Sequence, residues 1–290
     1  MTTILITGAK GQLGRCFQQL AARFPAWRFL YVDLEDLDIA DRPAVFSFFE
    51  KNRVHWCINC AAYAAVDKAE NEPALARRVN VSGVRNLAEA CARYQAPLIH
   101  FSTDYVYHSR QNTPFRETDT VHPKSVYART KLAGDRAALK ANPLAMVIRT
   151  SWLYAPHGHN FVRTMLHFGA ERPALRVVYD QVGTPTYAPD LAGAVLEIVR
   201  QVEENSVPRN TIAGVWHYSN EGVCSWYDFT QAIFDIRGIT CRVIPIESKD
   251  YPLPAPRPPF SVLNKAKIKT AFGLQIPHWR DSLLRCLEAL

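Results

Sequence analysis

Long apolar runs are absent from this 290-residue sequence. No segment approaches the roughly 18 uninterrupted apolar residues that a membrane-spanning helix requires. The N-terminal stretch MTTILITGAK has neither the basic region nor the cleavage pattern of a secretory signal. We therefore predict that the protein does not span a membrane, carries no leader and resides in the cytoplasm.

A disulfide or metal-binding framework is also lacking. The seven cysteines are odd in number and follow no regular spacing, which argues against a disulfide scaffold. Cys57 and Cys60 form a CxxC, but no second CxxC or HxxxH supplies the other ligands that zinc needs. We interpret this pair as part of a buried strand, expect His157 and His159 to be solvated, and predict no metal site.

Basic tracts are missing as well, although the chain is basic overall. The 34 Lys and Arg residues are scattered, and the net charge is +7. A nucleic-acid-binding protein usually concentrates such charge in a patch or a motif, so we predict no nucleic-acid partner. A dispersed positive charge suits a phosphorylated small-molecule ligand.

What is present is an alternation of apolar, β-branched runs and helical patterns. Over the first 150 residues the periodicity predicts helices between five strands, which lie near residues 3–7, 28–33, 55–60, 97–102 and 145–152. Uninterrupted apolar runs such as TILIT are typical of strands that are covered on both faces. The pattern therefore predicts an α/β fold with a Rossmann-like doubly wound parallel sheet.

A glycine motif, GxxGxxG, joins the first predicted strand to the first helix. Gly8, Gly11 and Gly14 permit a tight turn and let backbone N–H groups approach a pyrophosphate at the helix N-terminus. The pattern argues against a nucleotide-triphosphatase loop, because the last glycine is not followed by Lys and Ser or Thr. Asp33 ends the second strand, where a carboxylate can bind the adenosine ribose. This favours NADH, and NADPH stays open.

The segment SVYARTK places Tyr127 and Lys131 one helical turn apart. Such a pair is common on surface helices and means little alone. Here it follows the fourth strand, whose end carries Thr103, and ligands of these sheets bind beyond the carboxyl ends of the strands. The three residues are therefore expected at the ligand site, where the Lys131 cation could lower the pKa of the Tyr127 phenol.

Several phrases, among them CAAYAAVDKAE, STDYVY, VYARTKLAGD, RTSWLYA, DQVGTPTYAPDLA and RPPFSVLN, resemble the dTDP-4-dehydrorhamnose reductase family of the extended short-chain dehydrogenase/reductases. The resemblance covers nearly the whole chain. It implies NAD(P)H-dependent reduction of the C4 keto group of dTDP-4-dehydro-L-rhamnose, for surface polysaccharide synthesis. By this resemblance Tyr127 gives the proton, Lys131 holds the nicotinamide ribose and lowers the pKa of Tyr127, and Thr103 binds the reacting oxygen.

The same resemblance implies further contacts and a division of the chain. Asp104 and Trp152 match positions that contact the substrate, and additional cofactor contacts fall on Gln12, Leu13, Asp38, Ile39, Ala61, Ala62 and Tyr63. We assign residues 1–150 to the cofactor-binding domain and residues 151–290 mostly to a smaller α/β substrate-binding lobe. The helix at 189–203 is expected to return to the first domain.

One departure from the family pattern concerns assembly. Some members dimerise through a magnesium ion held by glutamates, at places that correspond here to Cys16 and Pro189. We therefore predict a monomer, or a dimer without a magnesium bridge. Two alternative functions stay open: another nucleotide-sugar epimerase or dehydratase, and a non-catalytic regulatory subunit of the methionine adenosyltransferase type. The presence of Thr103, Tyr127 and Lys131 weighs against the latter.

Overall fold

Six strands form one parallel sheet at the centre of the chain. The computed structural model describes residues 1–290. The twelve strands are β1 (Thr2–Thr7), β2 (Trp27–Val32), β3 (Trp56–Asn59), β4 (Leu98–Thr103), β5 (Ala145–Thr150), β6 (Leu153–Tyr154), β7 (Ala174–Val178), β8 (Val182–Gly183), β9 (Thr186–Tyr187), β10 (Gly214–His217), β11 (Cys224–Ser225) and β12 (Arg242–Ile246). The large sheet has the order β2-β1-β3-β4-β5-β10, and all its pairs are parallel. The predicted doubly wound α/β fold is confirmed.

Helices cover both faces of this sheet. The helices are α1 (Gln12–Leu20), α2 (Arg42–Asn52), α3 (Lys68–Asn71), α4 (Pro73–Arg77), α5 (Val84–Arg93), α6 (Val126–Ala141), α7 (Phe161–Glu171), α8 (Ala188–Glu203), α9 (Trp226–Arg237), α10 (Ala266–Phe272) and α11 (Trp279–Glu288). Ile4 and Ile6 of β1 pack with α1, α8 and α10, whereas Leu5 packs with α2, α5 and α6. Successive strand residues face opposite sides, so a sheet covered twice requires the continuous apolar run. None of the helices is long and apolar enough to cross a membrane.

The order of the strands creates the crevice in which a ligand can bind. The chain passes from β1 outward to β2 and then returns to β3 on the other side of β1. The loops that follow β1 and β3 therefore diverge at the carboxyl edge of the sheet, which is the usual ligand position in open α/β sheets.

The single long helix expected over residues 72–94 is interrupted. A π-helical turn, Arg78–Gly83, separates α4 from α5. Within it Asn80 is buried, where its side chain accepts a hydrogen bond from the Tyr63 N–H at 2.9 Å and donates to the Thr130 hydroxyl at 3.2 Å. The π-helical turn occurs where Asn80 contacts a loop and α6, both of which are distant from it in the sequence. Helical periodicity, which is a local property, therefore does not predict the interruption.

Residues 151–290 divide between the large sheet and a smaller unit. In the smaller unit β7 pairs with β12 and β8 with β11, and α7, α9 and α11 share an apolar core with them. Strand β10 and helices α8 and α10 lie against the large sheet. The sequence predicts the return of residues 189–203 and a strand at 214–218. It does not reveal which sheet that strand joins, because the pairing partner β5 is distant in the chain.

Candidate active site

The glycine loop after β1 packs closely against neighbouring backbone on one side and lines the crevice on the other. Gly8 has φ +63°, and a Cβ there would lie 2.6 Å from the backbone nitrogen of Ala61. A Cβ at Gly14 would lie 2.4 Å from the Gly8 carbonyl oxygen. Gly11 precedes α1 as its N-cap and offers no side-chain cap, so N–H groups of the first turn stay free for an anion. Loop and helix together fit a dinucleotide pyrophosphate.

One end of the crevice is a cavity of about 370 Å³ beside β2. Eight residues predicted to bind the cofactor line it: Gly8, Gly11, Asp33, Asp38, Ile39, Ala61, Ala62 and Tyr63. The Asp33 carboxylate accepts hydrogen bonds from the N–H groups of Lys10, at 2.8 Å, and Leu34, at 2.9 Å. Asp38 accepts from the Ala40 N–H and pairs with Arg78, so it also shapes the loop. The cavity has the size and polarity to hold an adenosine.

The other end is a cavity of about 460 Å³ that contains all three predicted catalytic residues. Predicted residues that line it are Gly11, Gln12, Leu13, Gly14, Ala62, Thr103, Asp104, Tyr127, Lys131 and Trp152. Gly11, Cys60 and Ala62 line both cavities, which makes them one continuous groove. All seven cysteines are free, and Cys57 lies in the core, as predicted. The prediction is wrong for Cys60, which follows β3 and is half-buried at the groove. The groove matches an extended dinucleotide that runs from β2 to β4.

Tyr127 lies near the N-terminus of α6, which begins where the Ser125 hydroxyl accepts a hydrogen bond from the Ala128 N–H at 3.1 Å. Burial raises the pKa of Tyr127 to about 12, and the Thr103 hydroxyl opposes this shift. In the ligand-free protein desolvation of the phenol therefore dominates its pKa, and the lowering of this pKa by Lys131 stays a prediction. The phenol keeps its proton at neutral pH, which is the form that a proton donor needs.

Lys131 is buried one turn further along α6. Its Nζ donates a hydrogen bond to the Phe101 carbonyl oxygen at 2.6 Å, and the residue is 3% exposed. Burial lowers the pKa of Lys131 to about 8, although Asp135 and Cys60 oppose the shift. The ammonium therefore stays mostly protonated at neutral pH and loses its proton in mildly alkaline solution.

Thr103 ends β4 and Asp104 follows it, and both line the same cavity. The Thr103 hydroxyl donates to Asp104 Oδ1 at 3.2 Å and accepts from the Tyr105 N–H at 3.2 Å. Burial raises the pKa of Asp104 to about 7, and its Oδ2 has no hydrogen-bond partner. A carboxyl group with one unsatisfied oxygen at a cavity wall is suited to binding a sugar hydroxyl.

Trp152 lies opposite these residues in a left-handed backbone conformation, with φ +47°. Its indole stacks on that of Trp226 with ring centroids 3.6 Å apart. A Cβ at Gly183 would come within 2.8 Å of the Trp152 ring. The glycine of the DQVGTPT phrase thus admits the ring, and the backbone conformation of Trp152 is the kind of strain that concentrates at functional sites.

Two site residues that were not predicted from the sequence, Tyr105 and Trp226, form a wall between two cavities. Both line the 460 Å³ cavity and also an adjoining cavity of about 270 Å³, which contains Arg176 and Arg257. Tyr105 stands within the STDYVY phrase, so the motif contained this signal. Trp226 merely begins a helix after Ser225, and nothing in the sequence around it indicates a ligand.

Metal ligands are not assembled in the structure. No group of three or more His, Cys, Asp or Glu side chains is placed to hold a metal ion. Cys16 is fully buried, its thiol donates to the Gln12 carbonyl at 3.2 Å, and burial raises its pKa to about 12. Pro189 lies in the first turn of α8. His159 is exposed, as predicted, whereas His157 is only half-exposed, because its loop packs on α1 and brings Nε2 to 2.9 Å from the Gln12 carbonyl oxygen.

Comparisons with known proteins agree with this site. The family model of the RmlD substrate binding domain matches residues 1–290. A dTDP-4-dehydrorhamnose reductase of Aggregatibacter actinomycetemcomitans is 39% identical over 290 residues, which cover 98% of this chain and 97% of that protein. The crystal structure of a dTDP-4-dehydrorhamnose reductase from Clostridium acetobutylicum superposes with a TM-score of 0.93 at 40% identity and 99% coverage of both chains. That of the Bacillus anthracis reductase, in complex with NADP, gives 0.92 at 33% identity and 100% coverage of both.

Proposed function

The chain belongs to the dTDP-4-dehydrorhamnose reductase family, and from this premise we propose that it reduces the C4 keto group of dTDP-4-dehydro-L-rhamnose with NADPH or NADH. The product is dTDP-L-rhamnose, a precursor for surface polysaccharide synthesis. The observation that carries the proposal is the convergence of Thr103, Tyr127 and Lys131 on one cavity that continues into the glycine groove.

The nicotinamide cofactor supplies the hydride in this reaction. The residues suited to hold it are the Gly8–Gly14 loop at the pyrophosphate, Asp33 at the adenosine ribose and Lys131 at the nicotinamide ribose. The Bacillus anthracis relative was solved with NADP, which supports NADPH. The carboxylate of Asp33 favours NADH, since it would repel a 2′-phosphate. Both cofactors therefore belong in the proposal.

Tyr127 supplies the proton. As the C4 carbonyl becomes an alkoxide, the protonated phenol donates to it, and a secondary alkoxide is a stronger base than a phenolate. The high pKa of Tyr127 is thus compatible with the reductive direction. Thr103 shares the cavity and can donate a hydrogen bond to the same oxygen, while Lys131 places a positive charge nearby that stabilises the resulting phenolate.

The adjoining cavity offers a place for the nucleotide half of the substrate. Its wall residues Tyr105 and Trp226 also face the reacting centre, so a sugar diphosphate could extend between the two cavities. Arg176 brings positive charge to an otherwise mainly apolar lining, a combination suited to a base and a diphosphate. The charge of Arg257 is balanced by Asp67, whose Oδ2 lies 2.6 Å from the Arg257 Nη2. We propose that residues 151–290 contribute most of this substrate-binding lobe.

Assembly, location and other partners are also proposed. The buried Cys16 and the ring of Pro189 support a monomer or a dimer without a magnesium bridge. Size-exclusion chromatography with light scattering should then give the same mass with magnesium and with a chelator.

A cytoplasmic location is proposed because nicotinamide cofactors and sugar nucleotides are supplied there, and no nucleic-acid partner is proposed. The epimerase, dehydratase and regulatory-subunit alternatives gain no support from the reductases described above.

The decisive experiment is a reduction assay with purified protein. Oxidation of NADPH or NADH should require dTDP-4-dehydro-L-rhamnose, and NMR of the product should identify dTDP-L-rhamnose. Inhibition by dTDP and by GDP should be compared in the same assay, with dTDP expected to inhibit more strongly. Absence of substrate-dependent oxidation would overturn the proposed function. Equal inhibition by the two nucleotides would overturn only the thymidine specificity.

A further inference from the structure

A second buried ion lies one helical turn beyond Lys131. Asp135 is 1% exposed, and its Oδ2 accepts a hydrogen bond from the Ser102 hydroxyl at 2.9 Å. Arg149 on β5 faces the same oxygen, with Nε at 3.4 Å. Because α6 places residues i and i+4 on one face, Asp135 and Lys131 both reach β4, where they contact the adjacent residues Ser102 and Phe101. The two charges make no direct ion pair, but the carboxylate is near enough to act on the ammonium.

The remaining oxygen of Asp135 faces His100. The Ala61 N–H donates to Asn59 Oδ1 at 3.1 Å, so the amide group of Asn59 must be the one that meets His100 Nδ1, also at 3.1 Å. His100 Nδ1 is therefore an acceptor, and the proton of the neutral ring is on Nε2. That atom lies 4.0 Å from Asp135 Oδ1, and neither atom has another partner.

The other groups around Lys131 are neutral. Burial and the charge of Lys131 keep the pKa of His100 well below its usual value. Burial raises the pKa of the Cys60 thiol well above its usual value and that of Tyr127 to about 12. Of the groups that shift the Lys131 pKa, Asp135 alone is a carboxylate, and its effect is the larger one that opposes burial. Burial raises the pKa of Asp135 above its usual value, and the charges of Arg149 and Lys131 and the hydrogen bond from Ser102 oppose this shift.

We propose that Asp135 is a positioning residue for the reduction, because its carboxylate, held by Ser102, Arg149 and His100, keeps the Lys131 ammonium charged at neutral pH. A buried ammonium is destabilised when no opposite charge is near. A single nearby carboxylate typically raises the pKa of such an ammonium by about one or more. The hydrogen bond to the Phe101 carbonyl fixes where Nζ lies, and Asp135 preserves its charge. The consequence for catalysis rests on the proposed function.

This role predicts a change in pH dependence. In the wild type, kcat/KM should fall as the pH rises through about 8, because Lys131 is charged only below its pKa. In Asp135→Asn the alkaline limb should move to lower pH by about one pH unit. A residue that only supports the fold would lower activity without moving the limb.

The matched control is Asp190→Asn. Asp190 is a half-buried aspartate whose side chain likewise accepts from a serine, Ser282 at 2.6 Å, and from an arginine, Arg285 at 2.8 Å. It lines neither the groove nor the adjoining cavity. Its substitution should reduce thermal stability and leave the pH profile in place.

Asp135→Asn leaves Arg149 buried without its counter-ion, which can prevent folding. The double variant Asp135→Asn with Arg149→Met removes both charges, and it should show the same displaced limb. If the limb of the double variant coincides with that of wild type, the proposal is overturned.

A readout without turnover separates this inference from the proposed function. NMR of ¹³C-lysine in the ligand-free protein, with the Lys131 signal assigned by Lys131→Met, should give a midpoint near 8 in wild type and about one pH unit lower without Asp135. An unchanged midpoint overturns the proposal. A lowered midpoint without movement of the kinetic limb refutes the link to catalysis. Failure of the wild type to reduce the keto sugar would affect the proposed function and leave the titration result standing.

Discussion

Gly11 and Gly14 belong to one motif, but the structure gives them separable roles. A Cβ at Gly14 would lie 2.4 Å from the Gly8 carbonyl oxygen and 2.6 Å from Ala9 Cα, both of which are backbone atoms. A Cβ at Gly11 meets only the Gly8 oxygen, at 3.2 Å, and φ −71° with ψ 172° suits any residue. We predict that Gly14→Ala reduces stability and that Gly11→Ala reduces cofactor affinity.

The stability cost at Gly14 follows from two opposing terms. Forcing a methyl group against backbone typically costs about 1–3 kcal/mol. Alanine recovers about 1 kcal/mol relative to glycine within a helix. Contacts of 2.4 and 2.6 Å with backbone put the steric cost in the upper part of its range, at about 2–3 kcal/mol, so the net loss is about 1–2 kcal/mol. The Tm of the ligand-free protein should therefore fall by about 2–8 °C. At Gly11 the small shift needed should change the Tm by no more than about 1 °C.

The effect of Gly11→Ala on cofactor affinity can be measured from the same melting curves. NADPH at 100 times its Kd stabilises the folded protein by about 2.7 kcal/mol. Gly11 lines both halves of the groove, so a methyl group there should obstruct the pyrophosphate and raise Kd by about tenfold. At the same NADPH concentration the stabilisation then falls to about 1.4 kcal/mol, roughly half the wild-type shift.

The assay is differential scanning fluorimetry of wild type and both variants, with and without NADPH, supported by a fluorescence titration of Kd. Gly14→Ala serves as the control for general damage to the loop. Wild-type affinity in Gly11→Ala would refute the placement of a pyrophosphate at this loop. A normal Tm in Gly14→Ala would refute the close packing of α1 on the turn after β1.

Three further predictions concern single residues of the active site. Tyr127→Phe should lower kcat by about 100-fold or more while Tm and NADPH affinity stay near wild type, because only the proton donor is lost; near wild-type turnover would contradict this. Gly183→Ala places a Cβ 2.8 Å from the Trp152 ring, so the KM for the sugar nucleotide should rise several-fold with unchanged NADPH affinity, whereas an equal loss of both would point to general damage. The pKa of Asp104 is raised to about 7 in the folded protein. As the pH rises from about 4 to about 7, this carboxyl group ionises in the unfolded chain but stays protonated in the folded protein, so the free energy of unfolding decreases. Asp104→Asn removes this loss, and its Tm relative to wild type should increase over that range; a constant difference would argue against the raised pKa.

Much of the cofactor site is determined by local sequence. The order of strand, glycine turn and helix places Gly8, Gly11 and Gly14 at the N-terminus of α1, and the helical period puts Tyr127 and Lys131 on one face of α6. These relations depend on spacings of a few residues, which backbone geometry converts directly into position. The alternation of elements likewise suffices for a doubly wound sheet, whose carboxyl edge is where the site lies.

Tertiary structure decided the electrostatics and the walls of the site. From sequence, Lys131 is expected to lower the pKa of Tyr127, whereas burial in the ligand-free protein raises it, because desolvation depends on which distant segments cover the phenol. Trp226 reaches Trp152 across 74 residues, and Asp135 meets His100 and Arg149 from separate strands. No short-range pattern encodes such contacts, since they arise only when the sheet, the smaller unit and the returning strand β10 pack together.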